Sequence, residues 1–154
     1  MGPVRVLLID EHRMLTEALA SELSREPDLS VVGCAVTGDP ELAALVTQAR
    51  PDVITIEFEP FGPVMPLVLG QLHSACPTAR IVVLTSSQDP SQVVDAARSG
   101  AVAWVPKDCS TEHLVGVLRG VCHGHASYPP EQLGVVLQEL RADVQRARAD
   151  GNPP

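Results

Sequence analysis

The sequence predicts an α/β fold in which helices cover both faces of a parallel sheet. Five short runs rich in aliphatic residues recur with helical stretches between them, an alternation typical of βαβ units. These runs are nearly continuous in Val, Ile and Leu, as expected for strands buried on both faces. Hydrophobic residues make up 45% of the chain but aromatic residues only 3%, so the core must be built from aliphatic side chains. That composition suits a sheet packed against helices.

Each element follows from local pattern. The predicted strands are 4–9, 30–36, 53–56, 80–84 and 101–105. Helices are predicted where apolar residues recur every three or four positions. The helices with predicted start and end residues are 13–25, 40–49, 64–75, 110–122 and 130–148. Pro63, Pro66 and Gly70 disfavour the third of these helices.

Two helix starts carry the same signal. Asp39 precedes Pro40 and Asp89 precedes Pro90. An aspartate can accept hydrogen bonds from the free amides of a first helical turn, where proline is tolerated. Helices are therefore predicted to begin at both places, and Gly100 is predicted to close the one that starts at Pro90.

Charge, cysteines and hydropathy exclude several classes of function. The net charge of −8 and the pI near 5.0 argue against direct binding of nucleic acid, which requires a clustered basic surface. The four cysteines are far apart with no CxxC pair, and the amino terminus shows no signal-peptide pattern, which predicts free thiols and a cytoplasmic location. The apolar runs are much shorter than the roughly 20 residues of a membrane span.

Polar side chains follow four of the predicted strands. Asp10-Glu11 follows the first, Glu57 the third, Thr85 ends the fourth, and Lys107 follows the fifth. The carboxyl ends of parallel strands meet at one edge of the sheet, where ligands of such folds bind. Carboxylates of this kind suit Mg²⁺, and a hydroxyl and a lysine could hold phosphate oxygens. Isolated acids in loops are common, but the whole set points to a single site.

The order and spacing of four stretches resemble the receiver domain of bacterial response regulators. These stretches are 6–12, 50–57, 81–86 and 100–108, and the resemblance covers about residues 4–125. It implies a flavodoxin-like doubly wound sheet with strand order 2-1-3-4-5. It also implies roles for single residues: Asp10 and Glu11 as metal-side acids, Thr85 as the switch hydroxyl, and Lys107 as the cation that faces phosphate.

Trp104 and His12 are two further candidate residues. Trp104 stands where the family keeps a rotating aromatic residue, although a large apolar residue on an edge strand is an equally good interpretation. His12 lies beside the acid pair and is predicted to belong to the loop rather than to the chemistry.

Glu57 departs from the family pattern, because receivers are phosphorylated on an aspartate at this position. The loop at 58–63 also lacks the Met-Pro that normally follows. The extra methylene moves the carboxylate by about a bond length, and a misplacement of that order can cost about 100-fold in rate. Efficient phosphotransfer is therefore not expected, and a magnesium site at Asp10, Glu11 and Glu57 is predicted to be weak or absent. Conventional phosphorylation on Glu57 is the alternative.

The stretch 130–148 has apolar residues on one side and arginines on the other, and a Gly/Asn/Pro tail follows it. It resembles the linker helix that joins receivers of the NarL/LuxR-like group to a helix-turn-helix DNA-binding domain. We therefore expect a receiver domain at 1–127 and a linker helix with its tail at 128–154. Any contact with DNA would come from a separate domain that this chain does not contain.

These features predict a regulatory receiver that controls transcription through homodimerisation and does not catalyse a reaction. The alternative to a dimer is a monomer whose terminal helix packs back on the domain. A second function, from a different class, is the sensing of a small molecule in the strand-end crevice. An enzyme has little support, because no set of nucleophile, base and orienting residue can be named.

Overall fold

The computed structural model describes residues 2–57, 65–87 and 89–151 of the chain. Within them, strands and helices alternate, and a long helix follows the last strand–helix pair. The strands are β1 (Val4–Ile9), β2 (Leu29–Ala35), β3 (Val53–Ile56), β4 (Arg80–Thr85) and β5 (Ala103–Pro106). The helices are α1 (Arg13–Leu23), α2 (Leu42–Ala49), α3 (Met65–Ala75), α4 (Pro90–Arg98), α5 (Thr111–Val121) and α6 (Pro130–Ala149).

The five strands form one parallel sheet in the order β2-β1-β3-β4-β5, which confirms the predicted fold and strand order. Two apolar cores lie on its opposite faces, because side chains alternate along each strand. In β1, Leu7 and Ile9 belong to one core, whereas Val6 and Leu8 belong to the other. All four are at most 1% exposed, and burial of each stabilises the fold by about 1.5–3 kcal/mol.

Helix starts and ends test the predicted capping signals. At α4, the Asp89 carboxylate accepts a hydrogen bond from the Ser91 amide at 2.9 Å, as predicted. Gly100 closes this helix with φ of 95°, a left-handed conformation that favours glycine. At α2 the prediction was wrong by two residues. The Asp39 carboxylate accepts from the Glu41 amide at 2.9 Å, which stabilises a turn before the helix rather than its first turn.

The start of β5 and the formation of α3 test two further predictions. Strand β5 begins two residues late, because the Ala101 amide still donates to the carbonyl of Ala96 in the turn after α4. Helix α3 forms despite Pro66 and Gly70. Pro66 lies in its first turn, where the missing amide hydrogen has no helical partner to lose. No helix in the described residues is both long and apolar enough to span a bilayer.

Helix α6 packs back on the domain against α4. Val136 is its one buried residue and joins the core, and the Tyr128 hydroxyl just before the helix donates to the carbonyl of Ala101. The Arg98 guanidinium on α4 contacts the Asp143 carboxylate at 2.8 Å and that of Glu139 at 2.9 Å. The linker-like helix is therefore anchored to the domain along one of its sides.

Candidate functional site

The carboxyl ends of β1 and β3 place two acids side by side. Ile9 and Ile56 are register partners, and the Glu57 amide donates to the carbonyl of Ile9 at 3.1 Å. Asp10 directly follows Ile9, so its side chain leaves the sheet edge beside that of Glu57. Asp10 is 5% exposed and Glu57 6% exposed. One carboxylate oxygen of each acid lies within 4.8 Å of the other, and two buried carboxylates this close repel each other unless a cation or a proton relieves them.

Lys107 supplies that cation. Its amide donates to the carbonyl of Thr85 at 2.8 Å, which fixes the start of the loop after β5 against the end of β4. The Lys107 ammonium lies 3.0 Å from Oδ2 of Asp10 and also contacts Oε1 of Glu57. Lys107 is the single lysine in the sequence, whose other basic residues are arginines. The one flexible primary ammonium of the chain therefore bridges both acids.

His12 binds the remaining oxygens of the same two carboxylates. Its Nδ1 lies 3.0 Å from Oδ1 of Asp10 and 3.3 Å from Oε2 of Glu57. Its amide also donates to Oδ1 of Asp10 at 2.8 Å, which turns the loop and brings the imidazole back over the acids. Each acid thus offers one oxygen to Lys107 and the other to His12. The prediction that His12 belongs only to the loop missed this contact.

Burial and pairing separate the pKa values of the two acids. Burial alone would raise the pKa of Asp10, but hydrogen bonds with Glu57, the His12 amide and Lys107 outweigh it and lower that pKa. Burial, and then the neighbouring Asp10, raise the pKa of Glu57 against the opposing effect of Lys107. Burial opposes the charge on Lys107, yet its bonds to Glu57 and Asp10 raise its pKa. Asp10 therefore stays ionised to lower pH than Glu57, which takes up a proton more readily.

The side chains of the other predicted site residues form no hydrogen bond or ion pair with the cluster of Asp10, His12, Glu57 and Lys107 in the described part of the chain. Glu11 is exposed and forms no hydrogen bond or ion pair with the described residues. Thr85 is 2% exposed, and its hydroxyl accepts from the Ser87 amide at 3.0 Å. Trp104 is buried within one of the cores, and its role as a switch stays a prediction. The loop at 58–63, predicted to displace a metal-binding carbonyl, lies outside the described residues.

A divalent cation would meet a mixed set of donors here. One ligand atom each from Asp10, His12 and Glu57 lie within 4.8 Å of one another. Mg²⁺ prefers oxygen ligands in near-octahedral geometry, but one of these atoms is an imidazole nitrogen. Lys107 moreover holds the second oxygen of each acid. This arrangement does not fit a magnesium site built on Asp10, Glu11 and Glu57.

The contacts of His12 predict a pH dependence of stability. Hydrogen bonds to Asp10 and then to Glu57 raise the pKa of His12 above its usual value of about 6.5. The protonated imidazole therefore stabilises the folded state fully below about pH 6.5, and this contribution is lost as pH rises through the higher folded-state pKa. Urea unfolding at a series of pH values should show the free energy of unfolding of the wild type approaching that of His12→Asn across this window. Parallel curves for the two proteins would contradict the contact.

Comparison with known proteins gives one consistent result. The response regulator receiver domain family matches residues 6–119. The transcriptional regulatory protein LiaR of Bacillus subtilis is 30% identical over 144 residues, which are 94% of this chain and 68% of LiaR. The nitrate/nitrite response regulator protein NarL of Escherichia coli K12 is 30% identical over 150 residues, 97% of this chain and 69% of NarL. The chain thus spans about two thirds of these relatives.

Solved structures agree on the fold. A LuxR-family two-component response regulator from Aurantimonas superimposes with a TM-score of 0.75 at 23% identity, covering 90% of this chain and 98% of that one. The signal receiver domain of the putative response regulator NarL from Mycobacterium tuberculosis gives 0.72 at 24% identity, covering 81% of this chain and all of that one.

Proposed function

Since the chain belongs to the response regulator receiver family, and is the receiver domain of a transcriptional regulator of the NarL/LuxR type, we propose that it regulates transcription without being phosphorylated. In this proposal the acid at the end of β3 is a structural partner rather than an acceptor of phosphate. In other switch proteins, a ligand or a modification sets the balance between two conformations of the protein surface. In this chain, we propose, the pocket itself or a partner sets that balance.

The observation that carries the proposal is the engagement of both oxygens of Glu57. Lys107 contacts Oε1 and His12 Nδ1 lies 3.3 Å from Oε2. An in-line attack on a phosphoryl group needs a free carboxylate oxygen at a defined distance from the phosphorus.

Charge balance supports the same conclusion. A phosphoryl group brings about −1.5 to −2 charges at neutral pH and requires cations that are not already committed. In this pocket Lys107 is paired with Asp10 and Glu57, and His12 is paired with the same acids. The Glu57 carboxylate supplies part of the negative charge that a phosphoryl group would bring. Its side chain is long enough to contact Lys107 directly.

Magnesium is expected to bind weakly because Lys107 already compensates the acids. In urea unfolding, about 10 mM MgCl₂ should raise the free energy of unfolding by less than about 0.4 kcal/mol, the shift for a Kd equal to that concentration. NaCl at matched ionic strength is the control for screening. A magnesium-specific shift above about 1.4 kcal/mol, as for a Kd tenfold lower, would show that the pocket accepts the ion.

Dimerisation and contact with DNA complete the proposal. We propose that the chain works as a homodimer and reaches DNA through a separate domain, as the acidic net charge of −8 disfavours direct contact.

Sensing of a small molecule is less well supported. The cavity beside Lys107, between α1 and the start of α5, has a volume of about 210 Å³, below the roughly 300–1,000 Å³ of typical ligand pockets.

Phosphorylation independence can be tested on the assembly itself. Sedimentation velocity of the chain with and without a small phosphodonor and Mg²⁺ should give the same distribution of monomer and dimer. Glu57→Gln, which keeps the shape of the side chain but cannot accept a phosphoryl group, is the matched variant. A phosphodonor-induced shift in the wild type that is absent in Glu57→Gln would overturn the proposal.

A further inference from the structure

Helix α6 exposes an apolar stripe beside the side that packs on α4. The stripe consists of Leu133, Leu137, Leu140 and Val144, which are 41%, 58%, 36% and 38% exposed. The residues that face the domain, Val136, Glu139 and Asp143, lie roughly a quarter turn away on the helix surface. The stripe therefore remains uncovered while α6 is anchored to the domain.

The spacing of the stripe is that of a coiled-coil seam. Its residues follow one another by four, three and four positions, so that two pairs are seven residues apart. A repeat of this kind keeps an apolar seam facing a second helix with the same repeat. The stripe of one copy has the spacing needed to pack against the stripe of another. The partner that fits it is therefore α6 of a second copy of this chain.

Charges beside the stripe specify the direction of such a pair. Arg141 and Arg148 lie along one edge, and neither pairs with an acid in the described part of the chain. Asp143 lies along the other edge, where Arg98 and Arg146 both contact its carboxylate. In a parallel pair, Asp143 faces Arg148 of the second copy, five residues further on. In an antiparallel pair, arginines would face arginines, a repulsion that disfavours that arrangement.

We propose that a second copy of this chain covers the α6 stripe in a parallel, in-register helix pair. The inference rests on the proposed homodimer and gives its interface. Helix α6 stays on α4 during pairing, because its anchored side and the stripe are separate, and Arg98 presents Asp143 at the edge of the seam. The seam spans only about two heptads, and short helices associate weakly in isolation, so the dimer is expected to be reversible and to depend on concentration.

The stripe can be tested against a matched position on the same helix. Leu137→Glu introduces a charge at the most exposed residue of the stripe, whereas Val135→Glu introduces it on another side of α6, where Val135 is 42% exposed. In sedimentation velocity of the full chain, Leu137→Glu should weaken the dimer by about 100-fold or more, since each dimer loses two apolar contacts and gains two facing carboxylates. Val135→Glu should behave like the wild type.

Three outcomes would overturn the inference. The stripe is not the interface if Leu137→Glu dimerises as well as the wild type, and the effect is not specific if Val135→Glu weakens the dimer equally. A wild type that stays monomeric at every concentration would leave the stripe to another partner. These outcomes are distinct from a failure of phosphorylation independence. That proposal would fail if a phosphodonor shifted the distribution of monomer and dimer in proteins with an intact stripe.

Cross-linking tests the direction of the pair. In the parallel arrangement the two copies of position 144 face each other across the seam, so Val144→Cys should form a disulfide-linked dimer on mild oxidation. Gln138→Cys, on the outer side of the helix, should form little more than the wild type with its own four cysteines. Equal cross-linking of both variants, or none for Val144→Cys, would contradict the parallel pair.

Discussion

Lys107→Met should destabilise the domain by about 3–5 kcal/mol at neutral pH, the usual cost of leaving a buried charge without its partner. Methionine keeps the length of the lysine stem but removes the ammonium. Asp10 and Glu57, 5% and 6% exposed, would then face each other with only His12 to compensate them. The free energy of unfolding from urea denaturation measures this loss, which should shrink in mildly acidic solution as Glu57 takes up a proton.

A second substitution separates lost charge from lost packing. Glu57→Gln removes one of the two buried carboxylates, so the double variant with Lys107→Met should recover part of the stability that Lys107→Met loses. The two substitutions would then be strongly non-additive, as expected for groups in contact. A loss below about 1 kcal/mol for Lys107→Met, typical of exposed ion pairs, would contradict the account of the pocket.

Patterns of apolar and turn residues predicted most of the fold. The nearly continuous aliphatic runs predicted the five strands, because strands covered on both faces are mostly apolar. The strand-end rule placed Asp10, Glu57, Thr85 and Lys107 at one edge. The start of α2 was misplaced, since the same Asp-Pro pair stabilises a turn or a helix and local sequence does not distinguish them. The position of α6 depends on contacts such as that between Arg98 and Glu139, which are 41 residues apart. No local sequence pattern signals a contact between residues so far apart in the chain.

Three members of the cluster, Asp10, Glu57 and Lys107, were predicted from the sequence, but His12 and the contacts between the side chains were not. Glu11 adjoins Asp10 in sequence, yet its side chain points to solvent, because consecutive residues at a strand end leave in different directions. His12 returns to the acids through the bond between its amide and Asp10. Spacing offered one signal for it, since a residue two positions after a buried aspartate can donate its amide to that carboxylate.

Glu57→Asp should restore a reaction with phosphodonors. The side chain shortens by about 1.5 Å, a carbon–carbon bond, which is enough to break the 3.3 Å contact with His12 and to free one oxygen. Asp10, Thr85 and Lys107 stay in place. We expect the rate of phosphoryl transfer from a small donor to rise by about 100-fold over the wild type, the effect of correcting a misplacement of that order. An unreactive Glu57→Asp would show that other parts of the pocket prevent the reaction too.

We propose that Glu57 serves as an internal ion-pair partner of Lys107 and His12 and not as a phosphate acceptor. Intact-mass measurement after incubation with a small phosphodonor and Mg²⁺ distinguishes these roles, with wild type, Glu57→Asp and Glu57→Gln treated alike. We expect a phosphoryl adduct on Glu57→Asp alone. A stoichiometric adduct on the wild type that disappears in Glu57→Gln would contradict it.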